Sequence, residues 1–151
     1  MKKDGIIMKI IPTPNKAELT GGSIDLGKIA AVAVENGSDR RITKIAVTLK
    51  REIEELCSAP VKLRACSAEC TGVRISHGEA GEGYTLDIDD GGVRIVGDGA
   101  AGAYYGVQTL RQIIHEYGDS LPHCRIEDKP EFAERGFYHD VTRGRVPTLK
   151  Q

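Results

Sequence analysis

Residues 83–114 read GYTLDIDDGGVRIVGDGAAGAYYGVQTLRQII. Tyr84, Leu86 and Ile88 alternate with Thr85 and Asp87, the period of a strand with one buried and one wet face. Asp90-Gly91-Gly92 follows, a strong hairpin signal, and leads into a second strand at 92–97. Then the period lengthens. Tyr104, Val107, Leu110 and Ile114 fall on one stripe of a helix over roughly 100–117.

Between the second strand and the helix, Gly97, Gly99 and Gly102 spell G-x-G-x-x-G, the spacing of a dinucleotide-binding loop. Such a loop works inside a parallel βαβ unit, with the helix N-terminus aimed at the pyrophosphate. Here the preceding strand is the second arm of a hairpin, and no acidic residue stands at the end of a next strand about 20 positions on. Glu116 is inside the helix; Glu127 and Asp128 come late and precede a proline. The glycines therefore read as a sharp turn that lets the helix approach the sheet closely. No cofactor is expected. A nucleotide-binding domain would rest on this loop alone.

Outward from this unit the chain reads as alternating short elements. A strand is expected at about 6–11, a polar stretch to Gly27, and a strand through 28–35. Ser38 or Asp39 can cap a helix in which Ile42, Ile45, Leu49, Ile53 and Leu56 share a face, ending near Cys57. Strands at 61–66 and 72–77 precede the hairpin, and "HCRIED" follows the second helix. The expected fold class is α+β: a mostly antiparallel sheet with two helices packed on one face.

The 151 residues fit one domain, or one domain with a short piece of another. A chain of this size buries roughly 68–70% of its extended surface, so its core needs no disulfide or metal. With 40% hydrophobic and 28% charged residues and a net charge of −1, bulk charge points to neither nucleic acid nor an anionic membrane. Lys9 interrupts the short apolar N-terminal stretch, which has no cleavage site after it, and no window nears the ~20 apolar residues of a membrane span. A cytoplasmic location is the expectation. Cys57, Cys66, Cys70 and Cys124 then read as reduced thiols. Cys66 and Cys70 could join His77, His123 or Cys124 around zinc, but paired short ligand spacings are missing and structural cysteines are preferred.

The stretch 83–114 resembles the non-catalytic domain that precedes the barrel in glycoside hydrolase family 20, the β-N-acetylhexosaminidases. The matching residues include Gly83, Tyr84, Leu86, Ile88, Val93 and Ile95, then Ala101, Gly102, Tyr105, Gly106, Gln108, Thr109, Leu110 and Gln112. Ile126, Asp128, Pro130, Phe132, Arg135 and Gly136 resemble the family's linker into the barrel, I-x-D-x-P-x-F-x-x-R-G. "HDVTR" at 139–143 is similar to the D-x-S/T-R ending of the first barrel strand. Similar leading domains precede the barrels of α-glucuronidases and family 84 hexosaminidases; the tail favours family 20.

The resemblance implies two domains: residues 1–130 as the accessory α+β domain, and 131–151 as the linker and first strand of a truncated (β/α)8 barrel, which in full needs about 250 residues. It implies an enzyme that removes terminal β-linked N-acetylhexosamine with the substrate's own acetamido group as nucleophile. The Asp–Glu pair serving that chemistry is absent from this chain, so no catalytic residue and no activity are expected of it. One site residue carries over. Arg143 is expected to bind hydroxyls of the terminal sugar, while Asp140 and Arg135 read as structural and His139 as a packed core histidine. The implied partners are the glycan, reached through the missing barrel, and the barrel itself, with no nucleic acid and no membrane. An apolar patch where the barrel sits is expected and leaves a dimer through that surface open. A stand-alone carbohydrate-binding or protein-interaction module of the same fold is the alternative, and such a module has no need of the 135–151 strand.

Overall fold

The computed structural model describes residues 8–35, 39–65 and 72–138. Seven strands form one sheet: β1 (Lys16–Asp25), β2 (Ala31–Val34), β3 (Lys62–Ala65), β4 (Gly72–His77), β5 (Tyr84–Asp89), β6 (Gly92–Gly97) and β7 (Ser120–Asp128). The helices are α1 (Arg40–Cys57) and α2 (Ala100–Tyr117). The sheet order is β1-β7-β5-β6-β4-β2-β3. The α+β class holds, but antiparallel pairing does not run through the whole sheet. The pairs β1–β7, β7–β5 and β5–β6 are antiparallel, whereas β6–β4, β4–β2 and β2–β3 are parallel.

The parallel half follows from α1, which carries the chain from β2 back over the sheet to β3 as a right-sized crossover. The Asp39 carboxylate caps α1 by accepting the Arg41 N–H at 2.7 Å. Ile42, Ile45, Ala46, Leu49 and Ile53 then bury one stripe on the sheet. The second helix crosses from β6 to β7 with β5 lying between them, so its glycine loop does not open a βαβ unit of adjacent strands. Gly118, at φ +61°, stops it by donating its N–H to the Ile114 carbonyl.

Both helices contribute to one core cluster with Val32, Val73, Ile75, Leu86, Ile95 and Ile126 from the sheet. They are tied to each other by Arg111, whose Nε and Nη2 donate to the two Glu52 oxygens at 2.6 and 2.5 Å. That pairing holds the Glu52 carboxyl below its usual range and raises Arg111.

Three sequence expectations change. No strand lies at 8–11; Met8 and Ile10 are buried there as irregular chain. The expected polar stretch is instead the edge strand β1, with a bulge between Leu19 and Ser23 where Gly21 and Gly22 take φ of +85° and +93°. In α2, Tyr104 points out at 40% exposure, and the sheet-facing stripe is built from Ala103, Gly106, Val107, Leu110 and Ile113.

Candidate functional site at the sheet-to-linker junction

The three glycines of the 97–102 turn are occupied by the protein's own backbone. A Cβ on Gly102 would collide with the Gly83 carbonyl oxygen, and one on Gly99 would lie 2.9 Å from the Gly81 backbone. Gly83 also accepts the Asp98 N–H at 2.8 Å. The start of α2 is thus covered by the 80–83 loop, which fills the space a pyrophosphate would need. One turn further, a Cβ on Gly106 would meet Ile95 Cγ2 at 2.6 Å and the Tyr84 ring at 3.1 Å. Close helix–sheet approach is what the glycine spacing provides.

That approach sets a row of polar α2 side chains over the place where the chain leaves the sheet. The Tyr84 hydroxyl and Thr109 Oγ1 share a buried hydrogen bond of 2.6 Å, and burial pushes the Tyr84 phenol up to about 12. Gln112 clasps the N-terminal segment: its Oε1 accepts the Ile11 N–H at 2.9 Å and its Nε2 donates to the Ile11 carbonyl at 3.0 Å. Asn15 joins the start of the chain to its exit, donating its N–H to Asp128 and its amide to the Lys129 carbonyl.

Arg135 closes the arrangement from the linker side. Its Nη2 donates to both Glu82 oxygens at 2.8 Å, and its Nη1 to the Phe132 carbonyl. Tyr105 donates its hydroxyl to the same carboxylate at 3.3 Å. The Arg135 guanidinium, with help from Tyr105, holds the Glu82 carboxyl below the usual range. Between the N-terminal segment, α2 and the linker lies a cleft of ≈ 450 Å³, lined by Pro12, Asn15, Tyr105, Gln108, Lys129 and Arg135 among others. Beside it Phe132, Phe137 and Tyr138 stand out at 67%, 90% and 88% exposure. These are three exposed aromatic rings within seven residues of linker.

Arg143, His139 and Asp140 lie outside the described residues, as do Cys66 and Cys70. His77 and His123 have separate partners: His77 Nδ1 lies 2.7 Å from the Gly78 carbonyl, and His123 Nδ1 3.1 Å from that of Gly21 at the β1 bulge. Among the described residues no three His, Cys, Asp or Glu side chains gather as a metal centre needs. Sequence reasoning had placed Arg135 in a structural role, which the Glu82 pairing bears out. It missed Glu82, whose partner stands 53 positions away with no local pattern to announce it.

The fold and this junction define a layered α+β domain whose distinctive polar side chains fasten chain segments. Comparison with known proteins gives the family. The family described as "Glycosyl hydrolase family 20, domain 2" matches residues 8–129, and the chain belongs to it. A β-hexosaminidase of Vibrio vulnificus is 29% identical over 143 residues, 93% of this chain and 16% of that protein. A β-N-acetylhexosaminidase of Cellulomonas fimi is 31% identical over 142 residues, 89% of this chain and 28% of that protein. The solved chitobiase of Flavobacterium johnsoniae has the same fold, with a TM-score of 0.71 at 22% identity over 91% of this chain and 23% of that one. The chain therefore spans less than a third of each of these relatives. It is the non-catalytic accessory domain of a glycoside hydrolase family.

Proposed function

We propose that this domain braces the catalytic barrel of a glycosidase that removes terminal β-linked N-acetylhexosamine from glycans by substrate-assisted catalysis. The carrying observation is the Glu82–Arg135 pair, which fixes the first linker residues to the loop before β5 and, through Tyr105, to α2. Residues 1–130 form the accessory domain and 131–151 the linker and first barrel strand. Phe132, Phe137 and Tyr138 pack against the barrel; in the chain alone, this surface is where a second copy would seat. Arg143, at the C-terminal end of that strand, donates paired hydrogen bonds to hydroxyls of the terminal sugar.

The test is hydrolysis of a chromogenic N-acetyl-β-glucosaminide by the 151-residue chain and by the product of the longest reading frame that contains it. Activity is expected in the longer product alone, with Arg143→Ala raising KM there by about tenfold or more. Hydrolysis by the purified 151-residue chain would overturn the reading.

A further inference from the structure

β1 stands at one end of the sheet order, and among the described residues β7 is the only strand it pairs with. Lys16 through Ser23 are all exposed, so the outer edge of this strand meets solvent along most of its length. An exposed edge is a template for a further strand, and proteins guard such edges with charge. At β3, the opposite end of the sheet, Lys62 and Arg64 serve that purpose. A second β3 laid antiparallel about Leu63 would set Lys62 against Arg64 twice over. β1 carries a different pair at the same spacing, Lys16 and Glu18.

Register puts these two side chains on one face. Lys16 lies opposite Glu127 and Glu18 opposite Arg125, whereas Ala17 and Leu19 lie opposite Ile126 and Cys124, which are buried in the core. A second β1 laid antiparallel with Ala17 facing Ala17 therefore sets Lys16 against Glu18 and Glu18 against Lys16. Shifted by two residues either way, the strands oppose Glu18 to Glu18 or Lys16 to Lys16, so charge selects one register. Both side chains have capacity for it. Lys16 Nζ reaches Glu127 at 3.1 Å but its side chain is 71% exposed, and Glu18 has no ion pair among the described residues. Beyond Leu19 the bulge at Gly21 and Gly22 bends the strand, which confines a shared ladder to about residues 15–19.

We propose that β1 joins two copies of this chain edge to edge about a two-fold axis at Ala17, with Lys16 of each copy bridging Glu18 of the other. The contact is isologous and each chain has one β1, so association closes at a dimer. It uses none of the linker rings and stands whether or not the barrel reading holds. So short a ladder gives a weak dimer, with a Kd of about 0.1 mM.

Sedimentation equilibrium tests it on the 151-residue chain carrying F132S/F137S/Y138S, which removes the exposed linker rings as a competing contact. A dimer is expected at about 1 mM protein and about 0.05 M salt. E18K in that chain opposes cation to cation and K16E opposes anion to anion, and each should weaken association about tenfold or more. An equimolar mixture of the two variants recovers both opposite-charge contacts and should associate within about threefold of the parent. Circular dichroism establishes folding; should either variant not fold, K16Q and E18Q, at the same exposed positions, should each cost about threefold. A monomer up to about 1 mM protein, undiminished association of E18K and K16E alone, or a mixture no tighter than either variant would each overturn the proposal.

Discussion

Gly102 has no room for a side chain because the Gly83 carbonyl oxygen occupies the position its Cβ would take. Neither group can swing aside, since both belong to the backbone. Gly102→Ala should therefore destabilise the domain by about 1–3 kcal/mol. Gly136, with nothing within 4 Å of its Cβ position, should accept alanine within about 0.5 kcal/mol. Urea midpoints of the two variants check both, and equal midpoints would contradict the close-packing account. The glycine spacing was legible in the sequence, and so was its structural sense. What it lies against was not, because the 80–83 loop arrives there only through tertiary packing. Tyr105, Thr109 and Gln112 likewise stood out by resemblance, while their roles needed partners at Glu82, Tyr84 and Ile11.

At the scale of elements, legibility tracked burial. The hairpin β5–β6 and both helices fell where periodicity placed them, because each buries one face and leaves the other wet. β1 gave no such pattern: an edge strand exposed along most of its length is specified by its neighbour β7 rather than by its own alternation. The parallel half had a signal in "AVAV" at 31–34, a run buried at every position, as a strand flanked on both sides and covered on both faces requires. The pairing of α1 with α2 was not legible, since Glu52 and Arg111 are 59 residues apart. Their side chains are only 21% and 28% exposed. A double-mutant cycle with Glu52→Gln and Arg111→Gln should return a coupling of about 1–2 kcal/mol in denaturant unfolding. Strict additivity would mean the helices are held by their apolar stripes alone.

Across the whole molecule, the contacts that fasten the chain's two ends collect beside α2. The helices and the linker gather on one side, where the core cluster, the Gln112 clasp and the Arg135 pair turn the N-terminal segment and the exit into a single joint. On the proposed function such a domain transmits position: the linker is fastened by the Arg135 pair and carries three exposed aromatic rings. Burial of those rings by the barrel is the central claim. Hydroxyl-radical footprinting of Phe132, Phe137 and Tyr138 measures it directly, comparing the 151-residue chain with the product of the longest reading frame that contains it. The account predicts strong labelling of all three in the chain and protection in the longer protein; equal labelling in both would contradict it.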